Sequence, residues 1–133
     1  MALVVFSVAG RNHDSDGNPD LMTYEPPHVN EGGGWNGAST FNAPEPGIYF
    51  FSISFVRDAN TGGTEDDVFV FLRKQGADVG FAWCGAGSGT RSTGTYSVAI
   101  RLAKNDRIET FAGSDAGRRR VFPVYQFSGF LVH

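Results

Sequence analysis

The stretch from Gly47 to Val56 reads Gly-Ile-Tyr-Phe-Phe-Ser-Ile-Ser-Phe-Val, and it limits the fold more than any other part of the chain. With period two, Tyr49, Phe51, Ile53 and Phe55 share one face, while Ile48, Phe50, Ser52, Ser54 and Val56 share the other. Aromatic and β-branched residues at that spacing suit an extended strand. Both faces are at least partly covered.

Other segments follow the same rule. Val4 to Val8 opens the series, and Val68-Phe69-Val70-Phe71-Leu72 is a continuous apolar run that suits a central strand. Val79 to Cys84 is shorter and ambiguous. Tyr96 to Leu102 alternates, with Tyr96, Val98, Ile100 and Leu102 inward and Ser97, Ala99 and Arg101 outward. Arg107 to Ala112 is a less regular strand. Val121 to Val132 is apolar almost to the last residue, so this terminus must pair inside a sheet rather than fray.

Turn signals separate these runs: Asp16-Gly17-Asn18-Pro19, Gly32-Gly33-Gly34, Pro46-Gly47, Gly62-Gly63, Gly85 to Gly89 and Asp115-Ala116-Gly117. No segment has the apolar stripe of a helix. Short strands at this spacing predict an all-β, antiparallel sandwich or barrel. The 133 residues form one domain, residues 1–133, without internal repeats.

The net charge of −3 argues against nucleic-acid binding, which needs a basic face. No stretch approaches the length of a membrane-spanning helix, so no membrane insertion is expected. Cys84 is the only cysteine, which rules out an intrachain disulfide. Met1 to Phe6 lacks the charged region, apolar core and cleavage site of a signal peptide. Either the chain is not exported or it is a mature domain from a longer precursor.

The strongest signal lies between Tyr24 and Ile53. Asn30 is followed by Trp35, then Phe41, then Pro46-Gly47-Ile48-Tyr49-Phe50-Phe51. This resembles the signature of the complement C1q globular-head family, in which an Asn, an aromatic, a Phe and a Gly-x-Tyr-x-Phe strand recur at nearly these separations. Phe6-Ser7-Val8 and Phe127-Ser128-Gly129-Phe130-Leu131-Val132 are similar to that family's first and last strands. Leu72 to Gly76 and Leu102 to Ile108 match its central strand end and a later turn. Tyr24, the shorter spacing from Trp35 to Phe41, Ile53 and the Asn105-Asp106 pair depart from the pattern and mark a divergent member.

The resemblance implies a jelly-roll β-sandwich of about ten strands (C1q/TNF-like) that assembles as a homotrimer and binds ligands without catalysis. It also implies an extracellular, secreted setting. No collagen-like Gly-X-Y repeat occurs, so a stalkless head is expected. The favoured function is lectin-like pattern recognition of the innate-immune type, directed at a glycan, lipopolysaccharide or other anionic surface ligand. The alternatives are a TNF-like trimeric signalling ligand for a cell-surface receptor and a purely structural trimerisation head.

Several residues are candidates for the site. Arg118, Arg119 and Arg120 form the one basic cluster, before the last strand, and forked guanidiniums suit carboxylate or phosphate. Trp35 follows three glycines and could stack on a sugar if exposed, although in the C1q frame an aromatic there is structural. Asp66 and Asp67 lie where some C1q-like proteins bind calcium, so Ca2+ is a candidate ligand but not a requirement. Asp14, Asp16, Asn18, Asp20 and Glu25 follow the spacing of a calcium loop, but Pro19 stands where Gly is needed and no helices flank it. His13 to Asp20 therefore reads as a polar insertion loop at the rim. Cys84 reads as a small buried residue.

No catalytic arrangement emerges. Ser88 lies between Gly87 and Gly89, but Ala86 and Thr90 stand where a nucleophile elbow needs Gly. Thr90 also breaks a dinucleotide fingerprint, and His13, His28 and His133 are not at metal-ligand spacing.

Overall fold

A computed structural model describes residues 3–16, 18–58, 67–85, 91–114 and 120–133; for Arg120 only the backbone is described. The described residues form ten strands: β1 (Val5–Ser15), β2 (Asp20–Leu21), β3 (Val29–Glu31), β4 (Thr40–Asn42), β5 (Gly47–Arg57), β6 (Val68–Lys74), β7 (Ala77–Cys84), β8 (Ser92–Leu102), β9 (Arg107–Ser114) and β10 (Arg120–Leu131). The described residues contain no helix. The strands form two antiparallel sheets, ordered β3-β1-β10-β5-β8 and β2-β9-β6-β7, with β4 also paired to β9. This is the expected jelly-roll sandwich.

The alternation read along β5 is the alternation observed. Tyr49, Phe51, Ile53 and Phe55 are buried between the sheets, and Ile48, Phe50, Ser52, Ser54 and Val56 face out. β6 is central, as its apolar run predicts, with Val68, Val70 and Leu72 inward. The C-terminal run pairs on both sides, with β1 and β5, which satisfies its backbone groups and explains why so apolar a terminus is stable.

One reading changes. His13, Asp14 and Ser15 do not belong to a loop; they continue β1 and pair with Phe122, Val121 and Arg120 of β10. Their polar side chains hide the strand from hydropathy, while the long partner strand supplies the hydrogen bonds. His13 Nε2 meets Asp20 Oδ1 at 2.6 Å and ties β1 to the start of β2. Asp20 Oδ2 also accepts the Asp16 N–H, and Asp16 Oδ1 accepts that of Asn18. The acidic residues thus organise a tight connection.

The core is aromatic at its centre. Phe6 stacks on Trp35 at 5.1 Å and on Phe41 at 4.9 Å, and meets Phe127 edge-on at 4.9 Å. Gly129 makes room for this cluster, because a Cβ there would lie 2.5 Å from the Phe51 ring and 2.7 Å from that of Phe6. β6 and β7 join through Gln75 (φ 52°) and Gly76 (φ 81°), a two-residue turn with both central φ angles positive. That geometry matches the right-handed twist of the flanking strands.

Candidate functional site

The pairing registers bring several connections to one end of the sandwich. Ser15 pairs with Arg120, Arg57 with Ser92, and Val68 with both Cys84 and Ser114. The chain therefore leaves and re-enters the sheets here on either side of residues 16–19, 58–67, 85–91 and 115–119. A polar cluster ties this end together. Arg57, 1% exposed, donates to the Asp58 carbonyl at 3.4 Å and to the Gly85 carbonyl at 3.0 Å. Asp58 in turn meets Arg91 at 3.3 Å.

The outer face of the first sheet has a different character. Ser7, Ser128, Ser52 and Ser97 lie in register across four neighbouring strands, and the Ser52 and Ser97 hydroxyls bond at 2.7 Å. A groove of about 310 Å³ lies over this row, lined by Ser52, Ser54, Thr95, Ser97, Gln126 and Ser128. Beside it, Val5, Phe130, Phe50 and Ala99 form a second registered row, with the Phe50 and Phe130 rings 5.6 Å apart. The four residues of each row are uncharged; Glu31 extends the second row at the β3 edge, and Arg11 and Arg101 lie in rows outside these two.

The second sheet presents aromatics outward. Leu21, Phe111, Phe71 and Phe81 are registered across β2, β9, β6 and β7, and Phe69 pairs with Trp83 in the adjacent row. Trp83 is 52% exposed and Phe81 48%.

A family model of the C1q domain matches residues 5–132. The chain belongs to the C1q domain family. No curated protein matches the sequence directly. Among solved structures, this C1q domain is similar to the globular domain of zebrafish complement 1qA, with a TM-score of 0.75 at 13% identity, covering 98% of each chain. It is also similar to murine APRIL, with a TM-score of 0.71 at 11% identity, covering 98% of this chain and 99% of that one. The Eiger TNF of S. frugiperda aligns with a TM-score of 0.62 at 10% identity, covering 100% of this chain and 94% of the other. At such identities the likeness concerns the fold alone.

Within the C1q domain, the signature residues are structural. The Asn30 side-chain amide donates to the Trp35 carbonyl at 3.2 Å, and Trp35 pairs with Phe41 through an isolated bridge. Trp35 is only 4% exposed, so the indole is part of the core, as the C1q frame implied, and its candidacy as a sugar platform is corrected. The three preceding glycines suggested exposure, but Gly34 lets the chain pass against the Phe41 ring, where a Cβ would come within 2.3 Å.

Of the remaining candidates, Arg118, Arg119 and Asp66 lie outside the described residues. Arg120 begins β10, and Asp67 directly precedes β6, both at the end held by Arg57. Among the described residues, no group of three or more His, Cys, Asp or Glu could hold a metal ion. No helix among them is long and apolar enough to cross a membrane. Cys84 is buried, as expected.

Sequence reasoning missed Arg57 and the aromatic outer face. A charged residue closing an apolar strand looks like a solvated terminus. The exposure of Trp83 follows from the position of β7 at the sheet edge, which strand pattern alone does not reveal.

Proposed function

We propose that this C1q domain is a homotrimeric, non-enzymatic and secreted binding module, a single domain that recognises glycans, lipopolysaccharide or other anionic surface ligands. The observation that supports assembly is the uncharged centre of the outer face of the first sheet, with its charges confined to the perimeter. An apolar and hydroxyl-bearing surface of this width can be buried against copies of itself without stranding a charge. Three identical sites on one rigid body then act with avidity on a repetitive surface, where a single weak site would not.

In this reading the anionic ligand is held by Arg118, Arg119 and Arg120, the last of which begins β10. Guanidinium forks pair with carboxylate or phosphate in two parallel hydrogen bonds. Asp66 and Asp67 are proposed as calcium ligands, with calcium optional for folding; a thermal midpoint lowered by EDTA supports this, and an unchanged one removes it.

A glycan and lipopolysaccharide array, run with and without calcium, tests the reading. Binding above a charge-matched control protein, lost on replacing Arg118, Arg119 and Arg120 together by Ala, supports recognition. Binding confined to a cell-surface receptor instead supports a TNF-like signalling ligand. Absence of any binding leaves a structural trimerisation head.

A further inference from the structure

The outer face of the second sheet has a chemistry of its own. Its apolar part is a platform of rings. Phe69 and Phe71 stack at 5.7 Å, and both meet Phe81, at 5.4 and 5.8 Å. Mutual packing leaves Phe69 and Phe71 half-buried, with Phe81 set edge-on to Phe69, and Phe81 and Trp83 carry the exposed aromatic surface to the β7 edge. The Trp83 indole rests on Gly85, where a Cβ would come within 3.1 Å of its outer ring, so the ring is already placed.

Alongside the rings runs a registered row of ionic groups. Arg73 pairs across the sheet with Glu109 on one side and Asp78 on the other. Its guanidinium bonds Asp78 at 2.7 Å and lies over the Phe111 ring at 4.4 Å. Arg107 bonds Glu109 at 2.8 Å. Two cations and two carboxylates thus cancel within the face. They leave hydrogen-bond donors and acceptors beside the rings, without net charge.

We propose that this face binds a neutral oligosaccharide of hexopyranose units. A pyranose offers an apolar C–H face that suits an aromatic plane and an equatorial ring of hydroxyls that suits paired carboxylates and guanidiniums. A compensated ion-pair row neither attracts nor repels an uncharged sugar, whereas it gives no electrostatic advantage to a phosphate- or sulfate-bearing ligand. An acyl chain would bury the rings but strand the ionic row without hydrogen-bonding partners. Trp83 and Phe81 supply the stacking surface, and Asp78 and Arg73 supply the hydroxyl contacts at its border.

The test is native affinity electrophoresis of the intact protein through gels holding a neutral hexose polymer: amylose, mixed-linkage β-glucan or galactomannan. Retardation in at least one gel is expected. Trp83→Ala and Phe81→Ala should each weaken it by about tenfold, the scale of one lost aromatic contact. Both side chains are exposed, so unchanged thermal midpoints should accompany the loss. The triple replacement of Arg118, Arg119 and Arg120 by Ala should leave retardation intact, which separates this face from the anionic site proposed above. Free migration in all three gels overturns the proposal, as does retardation that survives both aromatic variants. A second copy of the chain is the occupant instead if Trp83→Ala lowers the oligomeric mass in light scattering. A lipid surface is the occupant if phosphatidylcholine vesicles shield Trp83 from acrylamide quenching.

Discussion

The Trp35 indole lies almost parallel to the Phe6 ring, 5.1 Å away and tilted by 11°, inside the cluster that joins the two sheets. This contact is why the most inviting sugar platform in the sequence is structural. Trp35→Ala should lower stability by about 3–5 kcal/mol, as for other large-to-small changes in a packed core. Among the described residues its indole N–H is buried without a hydrogen-bond partner. Trp35→Phe removes that unpaired donor while keeping a ring, so it should be much milder than Trp35→Ala in urea unfolding.

Tyr24 carries a pH signature. Burial pushes its phenol well above the ordinary value of 10.0, against a smaller opposing effect of the Thr110 hydroxyl 2.6 Å away. Between the unfolded and folded values the native state holds a proton that the unfolded chain has released, so stability falls as pH rises. The urea midpoint should not sense Tyr24 below pH 9 and should decline above the ordinary phenol value. Burial raises Tyr49 and Tyr125 in the same direction, so they add to the decline. Tyr24→Phe should reduce the slope. An unchanged slope in that variant would mean that Tyr24 ionises freely in the fold.

The β6–β7 hairpin depends on backbone conformation alone at Gly76. A Cβ there has as its nearest neighbour the Arg107 guanidinium at 3.9 Å, so space is ample, but φ is +81°. Gly76→Val should therefore destabilise by about 1–2 kcal/mol, the left-handed penalty for an L side chain. An effect within error in chemical denaturation would show that the turn relaxes to another type.

Arg57 should be needed for the integrity of the end of the sandwich where β5 and β7 finish. Its hydrogen bond to the Gly85 carbonyl links the end of β5 to the end of β7. Arg57→Met keeps most of the buried volume but removes charged donors, and should cost about 1.5–3 kcal/mol. Faster hydrogen exchange at Asp58 and Gly85 should accompany it, with the centre of β5 unchanged.

Much of this fold is legible along the chain because burial and period coincide. In β5 the inward residues from Tyr49 to Phe55 are all large and apolar, so the alternation speaks directly. The resemblance carried by Asn30, Trp35, Phe41 and Gly47 to Phe51 then fixed the architecture. What escaped depends on neighbours distant in sequence. His13 to Ser15 are strand because β10 extends to meet them. Trp35 is core because Phe6, Tyr24 and Phe127 converge on it. Trp83 is exposed because β7 closes its sheet at an edge, and Arg57 is buried because Gly85 offers its carbonyl. None of these is a property of a local window.

The central claim is that the face with Phe50, Phe130 and the serine row at its uncharged centre is covered by copies of the same chain. Light scattering coupled to gel filtration at micromolar concentration measures it directly. The account predicts a particle of about three times the 14.3 kDa chain mass, reduced to one chain mass by Phe130→Arg with β-sheet circular dichroism retained. A stable, folded monomer of the unaltered chain would contradict it.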